Sequence, residues 1–157
     1  MELPMVSLQT RHAEGREEVW DIVRRKWIAL SPEEHVRQCL VAYLIDVVKV
    51  PRSLISLEKG LKYGDRTKRY DLLVYDRDGQ PFVLCECKSP RVPISEETLF
   101  QASVYQSQLQ GKAILLTNGR ELMGMALDPQ GNWRRLHLPT LGEKAGWRMD
   151  SPAFVFL

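Results

Sequence analysis

The sequence lacks several features that would indicate a particular class of protein. Only three of its 157 residues are cysteines, and this odd number argues against a disulfide framework and favours a reducing compartment. No apolar run reaches the roughly 18 residues of a membrane span, and the first ten residues lack the basic-then-apolar layout of a secretory signal. A glycine-rich nucleotide-binding loop of the G-x-x-x-x-G-K-[ST] type is also missing, so ATP binding is not expected. We therefore expect a cytoplasmic protein with no membrane association.

The balance of charge and apolar residues is that of an ordinary folded domain. The net charge is only +2, which neither identifies nor excludes a nucleic-acid partner. Hydrophobic residues make up 44% of the chain, enough for a substantial core. There is no internal repeat, low-complexity tract or convincing linker. We expect residues 1–157 to form a single domain.

The apolar periodicity predicts helices that cover a sheet. Ser31-Pro32-Glu33-Glu34 is a helix start, with serine as the N-cap and proline at the first helical position, and apolar residues follow at helical spacing. Residues 17–30 are ambiguous and are predicted to be extended or mixed. The predicted elements are helices over 32–48 and 96–110 and strands over 54–61, 71–75, 82–88, 112–117, 122–127, 133–138 and 153–157. This order predicts an α/β fold with a mixed central β-sheet flanked by helices.

Two carboxylates and a lysine are concentrated on one predicted β-hairpin. Glu86 and Lys88 lie two residues apart in the second arm, so they point to the same face of the strand. Asp71 leads the first arm, and in an antiparallel hairpin the start of the first arm lies beside the end of the second. With a turn near residues 78–79, we expect Asp71 to lie close to Lys88. Such charges at the end of an apolar strand cost stability unless they have a partner or a use.

These residue types suit hydrolysis at phosphorus. Two neighbouring carboxylates repel each other, and a divalent cation removes that conflict. Mg²⁺ prefers a few carboxylate oxygens together with water and a substrate phosphate. Lys88 could then hold or deprotonate the attacking water and offset charge on the phosphate. The alternative is a surface hairpin with an ordinary Glu–Lys pair, and the apolar neighbours Leu84 and Cys85 favour the functional interpretation.

Five short motifs follow one another along residues 25–125: Ser31-Pro32-Glu33-Glu34-His35-Val36-Arg37-Gln38, Lys68-Arg69-Tyr70-Asp71, Glu86-Cys87-Lys88-Ser89-Pro90, Gln101-x-x-x-Tyr105 and Thr117-Asn118-Gly119. In this order they resemble the PD-(D/E)XK nuclease superfamily. The likeness is closer to the N-terminal nuclease domain of type I restriction enzyme R subunits and its stand-alone relatives. Tyr70 stands where the superfamily name has proline, a position that varies in the motif.

The resemblance implies a restriction-endonuclease-like core and a set of site residues. Asp71 and Glu86 would hold Mg²⁺, for which Mn²⁺ could substitute, with the backbone carbonyl of Cys87 as a further ligand, and Lys88 would be the catalytic lysine. Glu34 matches the helix glutamate that often belongs to such sites, or it could be only a capping residue of the helix. The family's glutamine and tyrosine correspond to Gln101 and Tyr105, which share one face of a helix because they are four residues apart.

Basic residues just before the hairpin are candidates for DNA binding. Lys62, Arg66, Lys68 and Arg69 could hold DNA phosphates, or they could form a solvated loop, and the sequence leaves both possibilities open. Arg24-Arg25-Lys26 is expected to be an ordinary charged surface.

The two cysteines of the hairpin are expected to be structural. Cys85 and Cys87 form a Cys-x-Cys pair without a second pair, which is a poor zinc signature. Both should face the core, where cysteine behaves as a small apolar residue.

Two functions from different classes remain. The first is a Mg²⁺-dependent endonuclease acting on DNA. A clean duplex break would need two copies, so a homodimer is plausible. The second is a non-cutting module that binds DNA or a partner subunit of a restriction-modification system. A sequence of 157 residues cannot hold the helicase motor of an R subunit, so coupling of cutting to translocation is not expected of this chain alone.

Overall fold

A seven-stranded mixed sheet forms the centre of the fold in the computed structural model, which describes residues 1–106, 112–140 and 155–156. The strand order is β10-β9-β8-β7-β6-β5-β4, and a separate three-stranded sheet has the order β1-β2-β3. The elements are β1 (Thr10–Ala13), β2 (Arg16–Asp21), β3 (Lys26–Ala29), α1 (Pro32–Ala42), β4 (Ile55–Tyr63), β5 (Arg66–Tyr75), β6 (Pro81–Cys87), α2 (Glu96–Gln106), β7 (Ala113–Thr117), β8 (Leu122–Leu127), β9 (Trp133–His137) and β10 (Val155–Phe156). The predicted α/β class is confirmed.

The first helix begins as its sequence predicts. The Ser31 hydroxyl accepts a hydrogen bond from the Glu34 amide at 3.0 Å, and Pro32 occupies the first helical position. The helix continues beyond α1 as a π-helical turn over Tyr43–Val47. A 3-10 turn over Arg52–Leu54 then leads into β4. Neither α1 nor any other helix in the described ranges has the length and apolar content needed to cross a membrane.

The two helices pack on opposite faces of the sheet. The larger core lies under α1 and joins Leu40 and Leu44 to Leu72, Cys85 and Leu115. A smaller cluster lies under α2, and successive residues of β7 belong in turn to this cluster and to the larger core. The smaller cluster is formed by Ile94, Leu99, Ile114 and Leu116. This alternation along β7, whose residues are all buried, is the pattern expected of a central strand covered on both sides.

Among the described strands of the central sheet, one neighbouring pair is parallel. Strands β6 and β7 run side by side in the same direction, with Cys85 beside Leu115 and Cys87 beside Thr117. The other pairs in the sheet are antiparallel. The carboxyl ends of β6 and β7 therefore meet at one edge of the sheet, and Lys88 follows directly after β6 at that edge.

The hairpin register differs by two residues from the predicted one. Leu72 pairs with Cys85, which puts Asp71 opposite Glu86 rather than beside Lys88. The Asp76 carboxylate accepts hydrogen bonds from the amides of Asp78 and Gln80, both at 2.9 Å, and so fixes the tight turn that sets this register.

The basic stretch before the hairpin is a second hairpin rather than a loop. Strands β4 and β5 extend through it and pair as far as Tyr63 and Arg66. Gly64 supplies the turn with φ of 54°, a conformation that glycine adopts without steric cost. Residues 17–30 contain β2 and β3, which confirms the extended interpretation.

Candidate active site

Strands β4 and β5 are distorted where two acidic residues face each other. Leu57 pairs with Leu72 and Lys59 pairs with Tyr70, so Glu58 and Asp71 are opposite each other between these pairs. Glu58 has a φ of 52°, which is unusual for any residue but glycine and costs free energy in a strand.

The distortion also interrupts the alternation of side chains in β5. Strict alternation would put Tyr70 and Leu72 on one face. Instead Leu72 belongs to the core under α1, whereas Tyr70 packs with Leu73 and Leu84 on the other face. The face therefore changes at Asp71, and its carboxylate reaches towards α1.

The Asp71 carboxylate is held against the backbone of β6. Its Oδ2 atom accepts a hydrogen bond from the Cys87 amide at 2.8 Å, and Cys87 is the residue between Glu86 and Lys88. Its Oδ1 atom lies 3.4 Å from Nη2 of Arg37 on α1. The structure thus brings Asp71 to the Glu86-Cys87-Lys88 segment, as the sequence predicts, although through the backbone.

Glu86 lies between two lysines. Its Oε1 atom is 3.0 Å from Nζ of Lys68, and its Oε2 atom is 3.6 Å from Nζ of Lys88. Lys68 also lies over the Tyr70 ring, 5.1 Å from its centroid. The Lys88 side chain is 41% exposed, so its ammonium group is accessible to a ligand.

Two arginines connect the acids on the α1 side of the site. Arg37 Nη1 lies 2.8 Å from Glu34 Oε2 and 3.3 Å from Glu58 Oε1. Arg24 reaches Glu34 at 2.8 Å and Glu58 at 3.2 Å, and it also binds the fully buried Asp21. The expectation that residue 24 lies on an ordinary charged surface is wrong, because its side chain is only 18% exposed within this network.

Glu34 lies in the network and is fully engaged there. Its carboxylate accepts hydrogen bonds from Arg24, Arg37 and Gln38, and the residue is 7% exposed. Arg24, Arg37 and Glu58 are the members of the site that the sequence did not identify. The Glu34-x-x-Arg37 spacing is a signal for the arginine, since residues three apart on a helix are neighbours. No sequence signal marks Glu58.

The cysteines beside the site are protonated thiols facing the core. Burial raises the pKa of Cys85 well above its usual value, and the nearby Cys87 and Asp71 raise it further. Burial also raises the pKa of Cys87, and the Asp71 carboxylate adds to the effect. Both cysteines pack in or against the core under α1, in agreement with the structural role predicted for them.

The donor set suits a magnesium ion that completes its shell with water and substrate. Asp71 and Glu86 are opposite each other and partly exposed, with side-chain exposures of 31% and 19%. Within the described ranges, no group of three or more acidic, histidine or cysteine side chains is placed to hold a metal ion, so these two carboxylates are the side-chain ligands that the site would supply. Mg²⁺ is usually bound through one or two carboxylates plus waters and phosphate oxygens, so two carboxylates fit this ion.

Gln101 and Tyr105 of the predicted site lie on α2. Gln101 is exposed on this helix, which packs over the sheet through Leu99 and Ala102. Tyr105 belongs to the same helix, and its side chain lies outside the described part of the structure. Their roles stay predictions.

The four basic residues predicted to bind DNA divide into two pairs. Lys68 and Arg69 form ion pairs with Glu86 and Glu58, at 3.0 and 3.4 Å, and so neutralise the acids of the site. Lys62 and Arg66 are exposed near the tip of the β4–β5 hairpin.

The chain is similar to a known protein family and to a solved structure. The family described as the N terminus of type I restriction enzyme R proteins matches residues 32–135. A solved structure of a proposed nuclease of the DUF820 group from Anabaena variabilis is similar at 16% identity, over 85% of this chain and 79% of that chain, with a TM-score of 0.44. No curated protein matches the chain.

Proposed function

Because the chain belongs to the family of type I restriction enzyme R protein N-terminal domains, we propose that it is a Mg²⁺-dependent nuclease that hydrolyses DNA phosphodiester bonds. The observation that carries this proposal is the hydrogen bond from the Cys87 amide to Asp71. It joins the acid of one strand to the Glu86-Cys87-Lys88 segment of the next. A nuclease site needs these groups together.

Each residue of the site has a distinct task in this proposal. Asp71 and Glu86 would hold Mg²⁺ or Mn²⁺, with the Cys87 carbonyl as a further ligand, and the bound ion would polarise the phosphate and lower the pKa of a bound water. Lys88 is exposed enough to contact the phosphate and orient the attacking water, and its charge stabilises the negative charge that develops there. Gln101 and Tyr105 would orient the strand or the catalytic groups.

The charged side chains of α1 affect the site through their contact with Asp71. Glu34 fixes Arg37, and Arg37 contacts the Asp71 carboxylate. Glu34 is therefore a positioning residue in this proposal, because its own oxygens are occupied by three donors. Lys68 and Arg69 would offset the negative charge of Glu86 and Glu58 in the absence of the ion and the DNA.

A second function has one observation in its favour. Asp71 and Glu86 are both in contact with cations of the chain itself, namely Arg37, Lys68 and Lys88. Such pairing would suit a domain that binds DNA or a partner subunit of a restriction system without cutting. In that case neither carboxylate would bind a divalent ion.

Plasmid cleavage separates the two functions. We expect the wild-type protein to nick or cut supercoiled DNA with Mg²⁺ or Mn²⁺, and EDTA to stop the reaction. Asp71→Asn and Lys88→Gln should lose at least about 100-fold in rate, the scale of one removed electrostatic or acid–base contribution. Asp78→Asn and Lys59→Gln alter exposed residues of the same types and should cut normally.

The variants and the metal titration separate cutting at the proposed site from contamination and from the non-cutting module. Equal cutting by all five proteins would indicate contamination or another site. No cutting by the wild type, together with no heat of Mn²⁺ binding by calorimetry, would favour the non-cutting module. A gel-filtration measurement under cutting conditions would test whether two copies act together.

A further inference from the structure

A cleft begins two residues beyond Lys88, at the edge of the sheet where β6 and β7 end. It has a volume of about 610 Å³ and lies between the segment after β6 and the turn after β7. Its lining residues are Glu2, Pro90, Arg91, Val92, Pro93, Asn118, Arg120 and Glu121. The Lys88 amide donates a hydrogen bond to the Thr117 carbonyl at 2.7 Å. The backbone at Lys88 is therefore connected directly to the end of β7, where the cleft begins. Ligands commonly bind outside the carboxyl ends of neighbouring parallel strands.

The walls of the cleft are held rigidly by one buried side chain. Asn118 is 4% exposed, and its amide group donates to the Val92 carbonyl at 2.9 Å, which ties one wall to the other. Its Oδ1 atom accepts hydrogen bonds from the amides of Arg120 and Glu121, at 3.0 and 2.9 Å. The backbones that carry the lining residues are therefore fixed before any ligand binds, which lowers the entropic cost of binding.

Two arginines extend from this rigid frame. Arg91 and Arg120 are exposed, and they stand on the two segments that form the opposite walls. Within the part of the chain that the structure describes, neither guanidinium has an ion pair, whereas Arg24, Arg37, Lys68 and Arg69 are all paired with acids. The cations nearest the catalytic acids are thus occupied, and those of the cleft are available to a ligand.

We infer that this cleft binds the phosphodiester backbone of DNA next to the bond that is cut, with Arg91 and Arg120 contacting the phosphates. The inference rests on the proposed function for the position of the cut. The planar guanidinium group matches phosphate oxygens and is always charged. Val92, 42% exposed and next to Arg91 in the chain, also lines the cleft and offers an apolar contact to a sugar. Glu2 and Glu121 lie in the same cleft, and their negative charge opposes the attraction of the arginines for phosphate at a distance. Binding therefore requires direct contact between the phosphate and the guanidinium groups.

Binding in EDTA tests the inference without requiring cleavage. The probe is a fluorescein-labelled DNA duplex, measured by anisotropy over a series of salt concentrations. Arg91→Gln and Arg120→Gln should each weaken binding about fivefold, equivalent to about 1 kcal/mol. Each should also reduce the slope of log K against log salt by about 0.9, because one phosphate contact is lost.

A third arginine provides the matched control. Arg77 is exposed in the β5–β6 turn, at the opposite end of the hairpin from Lys88. Arg77→Gln removes the same charge and should change neither the affinity nor the slope by more than about a fifth of these effects. All three variants should melt within about 1 °C of the wild type because the changed side chains are exposed.

The outcomes distinguish the cleft from the nuclease activity. Binding through both arginines by a protein that never cuts would support the cleft and overturn the proposed activity. Normal cutting together with wild-type binding by both cleft variants would overturn the cleft and leave the activity. Failure of the wild type to bind the duplex, or equal weakening by Arg77→Gln, would also overturn the cleft.

Discussion

Arg37 Nη2 lies 3.4 Å from Asp71 Oδ1, while Nη1 of the same guanidinium lies 2.8 Å from Glu34 Oε2. One buried cation therefore joins the helix acid to the strand acid. The Nε atom of Arg37 is buried and has no hydrogen-bond partner in the described part of the structure. The guanidinium group has three charged contacts, because Nη1 also lies 3.3 Å from Glu58 Oε1, and the contact with the buried Glu34 is the shortest of them.

Removing Arg37 should destabilise the protein strongly. Arg37→Met keeps most of the length of the side chain but removes the cation that contacts Glu34, Glu58 and Asp71. Breaking a buried ion pair from one side costs about 3 kcal/mol. Urea unfolding should show this loss, whereas Arg77→Met, at an exposed turn, should change the free energy of unfolding by less than about 0.5 kcal/mol. A loss under 1 kcal/mol for Arg37→Met would mean that the network contributes little.

Lys68 should compete with a metal ion for Glu86. Its ammonium group lies 3.0 Å from Glu86 Oε1, and a divalent cation must displace or share that contact. Lys68→Gln should therefore bind Mn²⁺ up to about fivefold more tightly, since a partly exposed ion pair contributes up to about 1 kcal/mol. Calorimetric titration with Mn²⁺ measures this, and Lys59→Gln is the exposed control. Weaker binding by Lys68→Gln would show that the lysine supports the ion.

The positive φ of Glu58 should reverse the usual order of stability of glycine and alanine variants in a strand. Alanine normally stabilises a strand relative to glycine, but a φ of 52° is strained for every residue with a Cβ atom. Glu58→Gly should therefore be more stable than Glu58→Ala by about 1 kcal/mol, although both lose the same carboxylate. Thermal unfolding of the pair decides the matter. The usual order, with alanine more stable, would show that Glu58 relaxes to an ordinary strand conformation when its ion pairs are lost.

The sequence predicted the elements well where local physics determines them. The start of α1 follows from Ser31 and Pro32, and the apolar run of β7 follows from burial on both sides. The register of the β5–β6 hairpin was missed by two residues, because the hydrogen bonds of Asp76 that fix the turn are not visible in a pattern of alternating residues. Residues 107–110 of the predicted second helix lie outside the described ranges.

The site was predictable only as far as its motifs reach. Asp71 and Glu86 could be placed on neighbouring strands from chain order, and the register puts them opposite each other. The involvement of Arg24 and Glu58 depends on contacts between segments 34 residues apart, at 3.2 Å. Such contacts arise from the packing of β3, α1 and β4 and have no period or spacing in the sequence. The sequence alone therefore predicts that the charged triplet Arg24-Arg25-Lys26 is exposed, and the partly buried position of Arg24 becomes evident only from the fold.

The buried thiols should make stability fall in alkaline solution. Burial raises the pKa of Cys85 and Cys87 in the folded state, so each thiol stays protonated there while it ionises near pH 8.5 in the unfolded chain. Their contribution is complete below that pH and is lost as the pH rises above it. The free energy of unfolding should decrease between pH 8 and 10, and less steeply in Cys85→Ala/Cys87→Ala. Equal slopes for the two proteins would exclude the thiols as the cause.

Gly119 should be intolerant of any side chain. It has a φ of 86°, and a Cβ atom there would lie 2.8 Å from Cγ2 of Val36 on α1, closer than packed carbon atoms approach. Gly131 has a similar φ of 83° but open space around it. Gly131→Ala therefore measures the backbone strain alone, and Gly119→Ala should be less stable than Gly131→Ala by about 1–3 kcal/mol.

The same pair of variants tests whether the turn after β7 supports ligand binding. Displacement of Gly119 from Val36 would move the backbone that carries Arg120, so Gly119→Ala should also weaken duplex binding in EDTA, at a temperature where it remains folded. Gly131→Ala, on the far turn between β8 and β9, should bind as the wild type does. Equal stability of the two variants would show that Val36 yields to the new methyl group, and the turn would then be less rigid than its contacts indicate.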